Sequence, residues 1–237
     1  MKAIILAAGK GNRLKPYTDT IPKPLLSLHS TSDDRDTILT DILTALPSYI
    51  DEVIIIVKYL EDTIRSYILK HDTYIKKKNP HIKQIICITQ TGEKGTMGAL
   101  LTAKEYIEKD ERFLVLNGDD IHSTVELEMF NAFPRAFGVH TKVMPGYKSI
   151  QVDTHGVVTE LRTQTEEEKQ GGCLIATGVY LLDGRLFDFE PVRLIDGEIG
   201  LPQTLIAHVT EYPSYAVEEK SWVSVNTVED LHGLWNR

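Results

Sequence analysis

The chain has 237 residues, 42% of them hydrophobic and 25% charged, and a formal net charge of −8. That is long enough for one large α/β domain with a substantial core, and too acidic for non-specific nucleic-acid binding through a basic surface. A site for an anionic ligand is therefore expected as a local positive pocket on an acidic body. Cys87 and Cys173 lie among apolar residues with no C-x-x-C partner, so buried free thiols are expected rather than a metal or redox centre. The first apolar run is too short to cross a bilayer and has no small-residue cleavage site, which points to a cytoplasmic protein without a membrane partner.

Residues 3–8 are six apolar positions in a row, fitting a strand buried on both faces. Gly9 and Gly11 break the run, and Arg13, Lys15 and Lys23 follow. Glycine lets backbone N–H groups approach oxygen closely, and Arg13 adds a planar, permanent charge, so this strand end suits phosphate. Three readings compete here: an ordinary surface loop, a dinucleotide fingerprint, and a nucleoside triphosphate site. The fingerprint needs a third glycine where Leu14 stands, and Asp33-Asp34 sits in a polar loop rather than at the end of a second strand. A P-loop is excluded because no G-x-x-x-x-G-K-[ST] occurs.

A polar, turn-rich segment over 27–35 leads into helical spacing at Ile38, Leu39, Ile42, Leu43 and Leu46, closed by Pro47. A second buried strand is expected over 53–57, then a helix marked by Leu60, Ile64, Tyr67 and Ile68. Lys76-Lys77-Lys78 reads as a solvated loop face. A third strand over 82–89, helical spacing from Met97 to Ile107, and a fourth strand over 113–116 complete an alternation that implies right-handed crossovers. Beyond Asn117 strands dominate, at 136–143, 150–152, 157–161, 174–182 and 214–218, with His155-Gly156 as a hairpin turn. Short helices are expected over 200–208 and 229–235, and Glu166-Glu167-Glu168 is the one biased run. The fold class is α/β: a single domain over 1–237 with a doubly wound, mostly parallel central sheet and a mixed second half.

Ligands of such sheets bind at the carboxyl ends of the strands, which singles out the loops after Ala8, Thr89 and Leu116. Asn117-Gly118-Asp119-Asp120 can place a carboxylate for Mg²⁺, or form a turn with capping aspartates. The glycine-rich stretch 90–100 gives close approach for a flat base, with Gln90 able to bond its edge, although a plain strand-to-helix loop has the same look.

The amino-terminal stretch resembles the signature of sugar-1-phosphate nucleotidyltransferases (nucleotide sugar pyrophosphorylases), A-A-G-x-G-x-R-L-x-P-x-T-x-x-x-P-K-P-L. It is matched as Ala7-Ala8-Gly9, Gly11, Arg13-Leu14, Pro16, Thr18 and Pro22-Lys23-Pro24-Leu25. Gln90 to Leu100 resembles the base-contacting G-T-x-G-A-L motif, Gly118-Asp119 the metal-binding Gly-Asp, and Ala176-Thr177-Gly178-Val179-Tyr180 the T-G-x-Y strand beside the hexose. The resemblance implies the nucleotide-diphospho-sugar transferase fold, with 1–120 as the nucleotide half and 121–237 as the sugar half. It also implies transfer of a nucleotidyl group from a nucleoside triphosphate to a sugar 1-phosphate, with pyrophosphate released and Mg²⁺ as cofactor.

By the same resemblance Arg13, Lys23 and Asp119 are catalytic. Leu6, Ala7, Ala8, Gly9, Gly11, Asn12, Arg13, Gln90, Gly95, Thr96 and Gly118 hold the nucleotide. Lys23, Glu168, Lys169, Thr177 and Gly178 hold the sugar phosphate, and Asp119 and Asn226 the metal. Two departures stand out: Glu168-Lys169-Gln170 lacks the proline of the family's Glu-Lys-Pro, and Ser224 or Asn226 stands where a second metal aspartate is usual. The resemblance covers nearly the full length and implies the short form, the catalytic domain without the left-handed β-helix of longer relatives. Two rival readings are a non-catalytic nucleotide-sugar sensor and a cytidylyltransferase acting on a non-sugar phosphate such as phosphocholine. Guanylyl-, thymidylyl- and uridylyltransferase-like readings all fit the base loop, so base and hexose stay open, as does a homo-oligomer.

Overall fold

The computed structural model describes residues 1–29 and 33–236; residues 30–32 of the polar segment lie outside the described residues. Four apolar runs become the expected strands β1 (Lys2–Ala7), β2 (Glu52–Val57), β3 (Gln84–Thr89) and β4 (Arg112–Asn117). Between them lie α1 (Ile38–Ala45), α2 (Glu61–Lys78) and α3 (Thr96–Leu101). The second half adds β5 (Asp120–Ile121), α4 (Thr124–Met129), β6 (Ala136–Lys142), β7 (Lys148–Val152) and β8 (Val158–Thr163). Then follow α5 (Glu166–Gly171), β9 (Cys173–Asp183), α6 (Leu201–Ala207), β10 (Tyr215–Glu218), β11 (Val223–Ser224) and α7 (Val228–Trp235).

Seven strands form one sheet in the order β10-β6-β9-β4-β1-β2-β3. All neighbours run parallel except β9, which is antiparallel to both β4 and β6. Side chains alternate across the sheet, so β1 sends Ala3 and Ile5 to one face and Ile4 to the other. The first face is covered by α1, α2 and α7 through Leu39, Leu43, Ile64, Ile68 and Leu231. The second is covered by α3 and α6 through Met97, Leu100, Leu201 and Leu205. Each such fully buried aliphatic side chain contributes about 1.5–3 kcal/mol over exposure, which is why a strand can be apolar throughout.

Several local expectations are corrected. The lysines at 76–78 are the last turn of α2, not a loop, and they complement the negative end of the helix while Glu61 and Asp62 sit at its start. The helix from Met97 stops at Leu101, and Ala103 and Ile107 reach the core through a 3-10 turn at Lys104–Tyr106. Glu166-Glu167-Glu168 opens a short helix capped by Thr165 in a capping box, and both cysteines are half-buried rather than buried. No helix among the described residues is long and apolar enough to cross a membrane.

The sheet bulges where β9 passes β6, with the register shifting between Phe137 and Val139. Gly178 lies there at φ +83°, and a Cβ on it would fall 2.2 Å from Asn117 Nδ2 and 2.4 Å from Asp120 Oδ2. Gly178→Ala combines a left-handed backbone with overpacking and is expected to cost more than about 2 kcal/mol in urea unfolding. A wild-type midpoint would contradict this account of the bulge.

Candidate active site

Strand order reverses at β1: the chain moves out to β2 and β3, then crosses back to β4 on the other side. The carboxyl ends of β1 and β4 therefore face a crevice, the usual ligand position of an open α/β sheet. Here it is a cleft of about 940 Å³. The end of β1 and the loop after it line one wall with Leu6, Ala7, Ala8, Gly9, Gly11, Asn12 and Arg13. Asn117, Gly118 and Asp119 follow from β4; Gln90, Gly95 and Thr96 come from the glycine-rich loop, and Lys23 and Asn226 close the floor.

Backbone economy sets these walls. The Gly118 N–H donates to Leu6 O at 3.0 Å, and a Cβ on Gly118 would sit 2.9 Å from that same oxygen, so only glycine lets β4's end lie against β1's. Gly11 sits at φ +64° with Thr18 Oγ1 donating to its carbonyl at 2.9 Å. The Tyr59 hydroxyl donates to Thr18 O at 2.8 Å and ties the loop to the end of β2. In the glycine-rich loop Gln90 is buried with Nε2 donating to Glu93 O at 2.7 Å. Gly95, at φ +91°, has no room for a Cβ beside Ile199.

At the floor, Lys23 is 8% exposed, and its ammonium donates to Asp119 Oδ2 at 2.5 Å and to Asn226 Oδ1 at 3.2 Å. Arg13 Nη2 donates to that same Asn226 oxygen at 2.9 Å. Asn226 reaches this point because β11 pairs antiparallel with β5, aligning Ser224 with Asp120, and because Val225 N donates to Asp119 O at 3.2 Å. Asp230 then accepts from the backbone N–H groups of Asn226 and Thr227 at 2.9 and 2.8 Å, starting α7. Asp120 is buried and accepts from Asn117 Nδ2 and the Trp222 indole; burial, then the charge of Asp119, pushes its carboxyl up to about 7.

Electrostatically the cleft is the local positive pocket that an acidic chain needs. Lys10, Arg13, Lys23, Lys58 and Lys94 line it against two carboxylates, Asp119 and Glu198. The sequence reading missed Lys10, Lys58, Lys94 and Glu198. Lys58 follows β2 directly, so the strand-end rule applied to β1 and β4 would have found it. Glu198 carried no signal; it arrives because Ile199 N donates to Lys94 O at 2.9 Å and Arg193 pairs with Glu93 at 2.8 Å.

Four expected residues are not brought to the cleft. Glu168 is gripped at both oxygens by Arg162, at 2.7 and 2.8 Å, accepts from Ser149, and is held down to about 2 by the Arg162 hydrogen bond first of all. Lys169 pairs with Glu166 at 2.5 Å. Thr177 is fully buried, and Gly178 is packed behind Asn117 and Asp120.

Gly9 offers a discriminating test. A Cβ there meets nothing within 4 Å, in contrast to Gly11, where it would lie 2.9 Å from Thr18 Cγ2. Gly9→Ala is expected to leave the melting temperature unchanged while weakening binding of inorganic triphosphate, as an anionic probe of the cleft, about tenfold or more in calorimetry, because only a ligand needs the space. Unchanged binding would remove Gly9 from the ligand wall.

A family model described as Nucleotidyl transferase matches residues 2–233. The chain is similar to the bifunctional protein GlmU of Methanocaldococcus jannaschii, 34% identical over 240 residues, covering 100% of this chain and 50% of that protein. It is also similar to the UTP–glucose-1-phosphate uridylyltransferase of a Synechocystis species, 26% identical, covering 97% of this chain and 61% of the relative. The chain thus spans half to three-fifths of the length of these curated relatives. Among solved structures, a UDP-glucose pyrophosphorylase complexed with UDP-glucose superposes with a TM-score of 0.80 over 99% of this chain and 97% of its own. At 20% identity that likeness establishes the shared fold. Together with the strand order, these matches establish that the chain belongs to the nucleotidyl transferase family.

Proposed function

We propose that the cleft transfers a nucleotidyl group from a nucleoside triphosphate to a sugar 1-phosphate, forming an NDP-sugar and pyrophosphate. The observation that carries this reading is the convergence of Arg13, Lys23, Asp119 and Asn226 on one point at the switch of strand order. The names of the relatives, which include a uridylyltransferase acting on glucose 1-phosphate, support the same reaction class.

In the reaction a phosphate oxygen of the sugar 1-phosphate attacks the α-phosphorus in line. The new P–O bond forms as the bond from the α-phosphorus to the bridging oxygen breaks, and that oxygen leaves with pyrophosphate. The nucleophile is already an anion, so no general base is required. What the protein must do is hold two polyanions together and stabilise charge growing on the α-phosphate and the leaving group. Arg13 and Lys23 would do that work, with Gly9 and Gly11 lining the cleft beside them. Gln90 has its amide nitrogen fixed on Glu93, and its amide oxygen would bond the edge of the base.

Asp119 and Asn226 would hold magnesium. Both offer hard oxygen atoms, but the point they share is filled by Lys23 Nζ, and Asn226 Oδ1 also accepts from Arg13, so both oxygens would reach the ion once these cations turn to the phosphates. No group of three or more His, Cys, Asp or Glu side chains among the described residues could hold a metal. Two protein oxygens suit a magnesium ion, which takes one or two protein ligands and completes its shell with water and phosphate. When bound, the ion supplies further positive charge to the phosphates.

Pyrophosphate release from five nucleoside triphosphates, each tested against the 1-phosphates of mannose, glucose, galactose and N-acetylglucosamine in magnesium, tests the reading. One pair or a few are expected to turn over. Nucleotide binding with no release from any pair would favour a sensor. In the productive pair, Lys23→Ala and Asp119→Ala are each expected to lose on the order of 10²–10³ in rate with circular dichroism unchanged. Wild-type turnover in either variant would remove its role.

A further inference from the structure

We propose that Lys58 is a base-reading residue, a donor that sets which nucleoside triphosphate the cleft prefers. β1, β2 and β3 run parallel and in register, with Ala7 beside Val57 and Val57 beside Thr89. The next positions, Ala8, Lys58 and Gln90, therefore lie level across three strand ends, and the ladder carries on to Gln90, whose N–H donates to Val57 O at 2.7 Å. Alternation sends all three side chains to one side of the sheet, because Leu6, Ile56 and Ile88, two residues earlier in each strand, pack on the face covered by α3 and α6. All three line the cleft, with Lys58 between the other two.

Strand order then gives a scale along the cleft. Asp119 follows β4, Ala8 follows β1, Lys58 follows β2 and Gln90 follows β3, with about 4.8 Å between neighbouring strands. A nucleotide whose α-phosphate sits at the Arg13–Lys23 junction and whose base reaches Gln90 must lay that base across the end of β2. Lys58 meets it there with donors only, while Gln90 offers its amide oxygen, since Nε2 is committed to Glu93 O. Lys58 is exposed and makes no hydrogen bond or ion pair among the described residues. Its backbone, by contrast, is held. The Tyr59 hydroxyl donates to Thr18 O at 2.8 Å, and Leu60 completes the short turn into α2 at φ +49°, a costly left-handed conformation for leucine. A base edge that turns a carbonyl oxygen or a bare ring nitrogen to Lys58 is favoured over one that turns an amino group to it.

The assignment rests on the proposed reaction for its ligand, and binding separates the two because it needs no turnover. Calorimetry on the wild type and Lys58→Met would use five nucleoside triphosphates and, as a probe with no base, inorganic triphosphate. At about 0.15 M salt, charge is screened over about 8 Å, so a lost contact outweighs a lost distant charge. Lys58→Met is expected to weaken the best-bound nucleoside triphosphate about tenfold and the worst-bound about twofold or less, with inorganic triphosphate binding and the melting temperature unchanged. Equal losses for inorganic triphosphate and all five nucleotides would put Lys58 on the phosphates and overturn the assignment, as would no change for any nucleotide. If the base preference shifts as stated but no pair of substrates releases pyrophosphate, the reaction falls and the role of Lys58 stands.

Discussion

One uncharged oxygen, Asn226 Oδ1, accepts hydrogen bonds from both Arg13 and Lys23. Two cations that close repel each other, and an anion between them would hold them at the expense of the field they present. A carboxamide holds them without cancelling either charge. Asp119 offsets one of them from the side, and Lys10, Lys58 and Lys94 keep the rest of the cleft positive on a chain whose total charge is −8. That potential is available for a polyanionic ligand because the convergence is built from hydrogen bonds rather than from ion pairs alone.

Everything around that junction works as a positioning scaffold. Arg13 and Lys23 ride on 3-10 turns cross-braced by Thr18 and Tyr59, while Asp119 lies two residues past the end of β4 and Asn226 precedes α7. None of the four sits inside a long regular element, and the parallel sheet beneath fixes their origins. Gly118 lets β4 close on β1, and the β5–β11 ribbon draws the carboxyl-terminal segment back over β4's end. Trp235 Nε1, donating to Ser27 O at 3.0 Å, and Tyr17, edge-on to Trp235 at 5.8 Å, clamp α7 against the signature loop.

Much of this was legible in the residue order because its causes are local. β1, β2 and β4 were readable as continuous apolar runs, since a strand covered on both faces has no polar side to hide it. The glycine wall of the cleft was legible in Gly9 and Gly11, and Asp119 in its place just beyond a strand. What stayed hidden depends on partners far along the chain. Lysine is a good helix former, so charge at 76–78 could not end α2; Asn79 and Pro80 do. Glu168 looked available for a sugar phosphate until Arg162 on β8 took both its oxygens. Tyr147 has no motif around it, and 79 residues separate it from the Asn226 amide it contacts.

The central claim is that this cleft seats two polyanions side by side at the Arg13–Lys23–Asn226 junction. A crystal structure with a non-reactive nucleoside triphosphate analogue and a sugar 1-phosphate bound together tests it most directly. The account predicts the α-phosphate within hydrogen-bond distance of Arg13 or Lys23, between the Gly9–Gly11 wall and Asp119. A triphosphate seated in another cavity, with this junction unchanged and empty, would contradict it.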